Sequence, residues 1–236
     1  MSEPRLARRA LAEYLGSTLL AAVVIGSGIA AQRLSSDAGM RLLESAAATG
    51  AGLFALILMF GPVSGGHFNP AVSLADAALG GLTRRDLAVR VPAQVAGCVT
   101  GAVLANGMFG RAAASISAQH RASPAHLLAE AVATFGLVLL VLALARSHRT
   151  ATAPAAVGAY IGAAYWFTSS TGFANPAISI GRVFSDSFAG IAPTSVPMFV
   201  VAQLVGATLA LGAVRVLYPS IGARDAAGAV VPRGTA

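Results

Sequence analysis

The sequence is short of the residues with which a soluble domain faces water. Only 11% of its 236 residues are charged, against 56% hydrophobic, and the mean hydropathy is +0.73. A soluble domain carries roughly a quarter charged residues. Lysine is absent, so all 16 basic residues are arginine, and with 9 carboxylates the net charge is +7. The single cysteine, Cys98, rules out an intrachain disulfide; nothing around it marks an activated thiol, so it reads as a small packing residue. Also missing are a nucleophile with its base, an acid–base pair, a phosphate-binding loop and any metal-ligand spacing, His120, His126 and His148 falling in loops. No enzyme, metal or cofactor is expected.

What the chain does have is apolar length. A bilayer span takes about 20 predominantly apolar residues, and six stretches qualify, at about 11–31, 45–63, 87–109, 125–145, 151–169 and 195–217. The first is too long for a signal-peptide core and no small-residue cleavage pattern follows it, so it is expected to be retained. Glycine (26 residues) and alanine are frequent within the spans, as where membrane helices approach closely. The arginines gather at span ends. Arg5, Arg8, Arg9, Arg84, Arg85, Arg90, Arg146, Arg149, Arg215, Arg224 and Arg233 fall on one side, and Arg33, Arg41, Arg111, Arg121 and Arg182 on the other. Eleven against five places both termini in the cytoplasm by the positive-inside rule, so the charge reads as topological and not as a nucleic-acid surface.

The chain also repeats itself. Ala12-Glu13 with Thr18 is echoed by Ala129-Glu130 with Thr134, Asn69-Pro70-Ala71-Val72-Ser73 by Asn175-Pro176-Ala177-Ile178-Ser179, and Ala93-Gln94-Val95-Ala96-Gly97 by Ala202-Gln203-Leu204-Val205-Gly206. Each half holds three spans. Three is odd, so the second half starts on the opposite side and lies inverted, with its working site near the midplane. The expected organisation is one channel domain over 1–236, with repeats at about 10–110 and 125–218 and a cytoplasmic tail over 219–236.

Between spans, the breaker-rich run Gly61-Pro62-Val63-Ser64-Gly65-Gly66-His67-Phe68 ends one helix. Asn69 can cap a new one with Pro70 in its first turn, where a missing N–H costs nothing. Over residues 69–80 that helix would be roughly 18 Å long, half a hydrocarbon core. Thr171-Gly172-Phe173-Ala174 introduces a second, over 175–184. Irregular backbone at membrane depth must be buried in protein or line water, which makes the carbonyls of Gly65, Gly66, His67, Gly172, Phe173 and Ala174 acceptors along a wet path. The two N-termini would meet at the centre, each with about half a positive charge, and so oppose cations and protons. Asn69 and Asn175 would offer amide N–H groups to a passing neutral oxygen.

Ser64-Gly65-Gly66-His67-Phe68-Asn69-Pro70-Ala71-Val72 resembles the first signature of the major intrinsic protein family, the aquaporins and aquaglyceroporins, and the repeated pairs resemble it from about residue 10 to 218. The resemblance implies an all-α fold of six transmembrane helices plus two re-entrant half-helices, one pore per subunit, and a homotetramer. In most members an arginine follows the second Asn-Pro-Ala and lines the narrowest point; here that residue is Ile178. Carrying the other filter positions over by spacing implies Thr49, Ala163 and Gly172, with Phe173 the alternative to Gly172. These imply a wider, less polar constriction. Ile178, followed by Ser185-Asp186-Ser187-Phe188-Ala189-Gly190-Ile191, is similar to a bacterial branch associated with arsenic-resistance genes, which implies neutral trivalent arsenicals such as arsenous acid and polyols as solutes.

Several polar residues keep two readings. Glu13 and Glu130 lie inside spans, where a carboxylate is costly; they either support the re-entrant loops or relay protons in a coupled transporter. Gln94 and Gln203 read as interhelical glue or pore-edge residues, and His67 as a fixed loop residue or a titrating gate. Arg182 either rings the outer vestibule with charge or pairs with Asp186. The leading expectation is a passive channel for water, glycerol-like polyols and neutral arsenicals in the plasma membrane (the bacterial inner membrane). A proton-coupled transporter and a mainly water-conducting channel are the alternatives.

Overall fold

A computed structural model describes residues 5–219; Arg224, Arg233 and nearly all of the expected tail lie outside them. Eight α-helices follow one another: α1 (Leu6–Leu34), α2 (Ala38–Ser64), α3 (Pro70–Ala78), α4 (Arg84–Met108), α5 (Pro124–Arg146), α6 (Ala153–Phe167), α7 (Pro176–Gly181) and α8 (Val196–Leu217). The described residues contain no strand. α1, α2, α4, α5 and the segment Pro193–Leu217 containing α8 are long and apolar enough to cross a membrane. α6 has 15 residues, fewer than the span expected over 151–169, because a 3-10 turn at Thr150–Thr152 precedes it and the chain turns extended at Thr168.

Local chemistry sets the boundaries. The Asp37 side chain accepts from Met40 N at the start of α2, which ends at Gly65 in the left-handed conformation (φ 92°). Thr83 and Asp86 form a capping box on α4, and Ser123 with Pro124 opens α5. Asn69 and Asn175 cap α3 and α7, each with proline in the first turn.

Glycines decide which helices meet. A Cβ on Gly97 would lie 2.4 Å from the Tyr14 carbonyl oxygen, and one on Gly101 2.2 Å from that of Thr18, so α4 can lie on α1 only without those side chains. In the other half, a Cβ on Gly206 would lie 2.2 Å from the Ala131 carbonyl oxygen, the matching contact of α8 with α5. α2 and α6 meet through Gly50 and Gly158. Where surrounding lipid is as apolar as the helices, such close approach supplies the attraction between them. One expectation needs correcting here: not every arginine is a topological charge. Arg90 is fully buried, donates to the Ser64 carbonyl and lies 3.8 Å from Glu13 Oε1. Arg182 is also buried.

Candidate functional site

The two loops that lead into α3 and α7 are built alike. Fully buried Glu13 on α1 accepts from His67 N (3.1 Å) and Phe68 N (2.8 Å). Fully buried Glu130 on α5 accepts from Phe173 N and Ala174 N, both at 2.9 Å. Gln94 bridges Glu13 to Ser73 Oγ, and Gln203 bridges Glu130 to Ser179 Oγ. Within each loop, a serine hydroxyl takes a glycine amide: Ser64 that of Gly66, Ser170 that of Gly172. Phe68 (φ 49°) and Ala174 (φ 48°) sit in the left-handed region, which costs a non-glycine residue about 1 kcal/mol or more. The carboxylate bonds to their amides hold them there.

The asparagines then tie the halves together. Asn69 Nδ2 donates to the Ala174 carbonyl (2.7 Å) and Asn175 Nδ2 to the Phe68 carbonyl (2.8 Å). Their Oδ1 atoms accept from α3 and α7, at Ala71 N and at Ala177 N and Ile178 N. One N–H of each amide is therefore committed to the other half, and only the second is left for a solute. Pro70, Ala71, Pro176 and Ala177 are buried behind the asparagines.

A cavity of about 610 Å³, part of it open to solvent, runs past this junction. Thr49, Gly172, Phe173 and Ile178 line it together with Asn69 and Asn175. Ala163 does not. It lies on the exposed face of α6, and Tyr165, turned inward two residues later, lines the cavity and shares a 2.9 Å hydrogen bond with Thr49 Oγ1. Spacing placed this position wrongly because α6 is apolar on every side, so no pattern fixes its rotation; a tyrosine hydroxyl needing a partner was the available signal. Of the expected carbonyl positions, Gly66, His67, Gly172 and Phe173 line the cavity. Gly65 and Ala174 do not, Gly65 capping α2 and Ala174 giving its carbonyl to Asn69. Glu13 and Glu130 are also off the wall.

Arg182 is in the wall itself, not paired with Asp186. Its guanidinium carbon lies 3.4 Å from the centroid of the Phe173 ring and its Nε donates to the Ala189 carbonyl, while Asp186 accepts from Ala118 N. Arg121, seen from sequence only as a loop charge, reaches the same ring at 5.5 Å and donates to the carbonyls of Phe188 (3.0 Å) and Gly190 (2.9 Å). On the other side of the junction, His67 Nδ1 is 3.0 Å from Ser73 Oγ and Nε2 is 3.8 Å from Asp76 Oδ2. The described residues hold no cluster of side chains suited to a metal.

Comparison with known proteins gives a consistent picture. The family model for the major intrinsic proteins matches residues 1–184. The chain is 51% identical to the aquaglyceroporin AqpS of Rhizobium meliloti, covering 91% of this chain and 92% of that one. It is 31% identical to the glycerol uptake facilitator protein of Pseudomonas aeruginosa, over 91% and 90%. Its fold is similar to the crystal structure of the aquaglyceroporin from Plasmodium falciparum, with a TM-score of 0.72 over 91% of this chain and 98% of that one at 20% identity.

Proposed function

This chain belongs to the major intrinsic protein family, whose members are passive membrane channels and not enzymes, and from that premise we propose that it conducts uncharged solutes of glycerol size along the cavity between its two half-helices. Water shares the path, and neutral trivalent arsenicals such as arsenous acid fall in the same class of size and charge. The observation that carries the reading is the composition of the cavity wall. Aliphatic Leu20, Val24, Leu53, Ile57 and Ile178 suit the carbon of a polyol, while Asn69, Asn175, Arg182 and the loop carbonyls suit its hydroxyls.

The filter in this reading is Thr49, Tyr165, Gly172, Phe173, Ile178 and Arg182. Arg182 supplies, one turn beyond Ile178, the donors and charge that position 178 lacks. With the positive ends of α3 and α7 it opposes cations and protons. Glu13 and Glu130 act as loop supports: each is already committed to two backbone amides and a glutamine, away from the wall, which disfavours a proton relay. Exposed Leu58, Met59, Trp166 and Phe167 suit lipid or neighbouring subunits of a homotetramer. The arginine-rich face is assigned to the cytoplasm, in a bacterial inner membrane.

Swelling of proteoliposomes in water, glycerol and arsenous acid, side by side, tests the reading. Glycerol and arsenous acid should enter faster than into empty liposomes, with no response to a proton ionophore. Water flux with neither solute would favour the mainly water-conducting alternative, and ionophore-sensitive uptake a coupled transporter.

A further inference from the structure

Beside the main cavity lies a smaller one, narrow within and open to solvent on one side. Arg121, Arg182, Ser45, Thr171 and Tyr165 line it, and Arg182 and Tyr165 are shared with the main cavity. No carboxylate lines it. The two guanidiniums stand on one aromatic ring, Phe173, and are held by the successive carbonyls of Phe188, Ala189 and Gly190. Carbonyls orient an arginine but do not neutralise it, and neither arginine has a carboxylate within 4 Å among the described residues. Glu130 is the carboxylate whose charge acts on both, and its oxygens already serve two amides and Gln203. Burial draws the Arg121 guanidinium below its usual range while Glu130 and Tyr165 work the other way, and an arginine so placed stays charged at neutral pH.

Hydroxyls complete the site. Ser45 Oγ is buried, in a residue only 2% exposed, and has no hydrogen-bond partner; Thr171 Oγ1 is likewise buried without one. Both residues line the small cavity. Arg182 uses only its Nε in hydrogen bonding and Arg121 leaves Nη1 unused. Unused guanidinium N–H groups and two unpartnered hydroxyls around a cavity without acids make a donor set, and the complement of such a set is a small planar anion with several acceptor oxygens.

We propose that this cavity binds a small oxyanion of nitrate or carboxylate size, and that its occupation obstructs the neutral-solute path at Arg182 and Tyr165. The proposal goes beyond the neutral-solute reading, which requires no anion site. The probe is nitrate, which remains an anion at neutral pH. Glycerol flux into proteoliposomes is measured as nitrate replaces chloride at constant ionic strength, and nitrate binding to the detergent-solubilised protein is measured by titration calorimetry. Wild-type flux should fall saturably with nitrate, and calorimetry should report binding. Arg121→Gln and Ser45→Val, checked for folding and for glycerol flux in chloride, should each raise the half-inhibitory nitrate concentration, by about tenfold for the arginine and less for the serine. If Arg121→Gln fails to fold, Ser45→Val decides. The proposal is overturned if nitrate acts no differently from chloride, if both variants are inhibited like the wild type, or if nitrate crosses as a current. Glycerol flux in chloride is a separate reading: its absence would sink the neutral-solute function, while calorimetry still tests the site.

Discussion

The two half-helix regions share a skeleton of hydrogen bonds and differ in a few side chains set on it. Glu13 and Glu130, Gln94 and Gln203, Ser64 and Ser170, Ser73 and Ser179, Asn69 and Asn175 make matching bonds. Yet where the first loop has His67, the second has Phe173, and seven residues beyond the asparagine the first has Asp76 and the second Arg182. Where α4 places Arg90 one turn before Gln94, α8 places Phe199 before Gln203, and Phe199 packs edge-on against Phe173 at 5.3 Å. The repeat therefore fixes backbone by repeating its hydrogen bonds, and leaves each mouth of the cavity free to acquire its own charge. One end carries His67, with Asp76 buried behind it off the wall; the other carries an arginine on an aromatic ring.

The sharpest way to break this comparison is through the carboxylates. Glu13→Gln should cost about 3–5 kcal/mol of stability, because it removes loop bonds and also the negative charge beside buried Arg90. Glu130→Gln, whose carboxylate acts on Arg121 and Arg182 only from beyond 4 Å, should cost about 1–3 kcal/mol. Thermal unfolding of the two variants in one detergent checks the order; equal losses would mean that Arg90 does not distinguish the halves.

Next is the junction, where the halves should behave alike. Asn175→Asp sets a carboxylate oxygen against the Phe68 carbonyl and offsets the positive potential at the meeting helix ends. It should lower glycerol flux about tenfold or admit cations, and Asn69→Asp should do the same through Ala174. Unchanged flux and ion exclusion in folded variants would reduce both asparagines to helix caps.

The filter prediction sharpens the difference between mouths. Arg182→Ala should raise the ratio of glycerol to water permeability several-fold, and Ile178→Arg should lower it, since an added arginine narrows the pore and demands hydrogen bonds of what passes. A ratio that moves only in Arg182→Ala would put selectivity wholly at that turn. The smallest effect belongs to the other mouth. Asp76 is buried off the cavity wall and stands 3.8 Å from His67, so Asp76→Asn should alter neutral flux by less than about twofold. A change as large as that in Arg182→Ala would make the two mouths functionally equivalent.

Much of this was open to reading along the chain. Hydropathy located five spans and overran α6, and Asn-Pro located the starts of α3 and α7 to the residue, because a cap and a proline act on their own turn. Ile178 could be read as facing the path, and it lies in the cavity wall. It could not be read that Arg182 reaches the same wall or that Arg121 comes to Phe173 from a separate loop. Spacing points to Ala163 where the structure turns Tyr165 inward, for the same reason: along α6 nearly every side chain is apolar, so sequence spacing does not say which face turns inward.

Apolar length, caps, breakers and the internal repeat are properties of the chain's own order and are legible along it. Rotation and approach are settled only once the helices pack. The Asn69 amide is committed to Ala174, Arg90 is sunk against Glu13 where Gly97 and Gly101 bring α4 onto α1, and two arginines share one ring. Hydrophobicity specifies that a helix is buried in the membrane, but it has no direction, whereas hydrogen bonds and close contacts do.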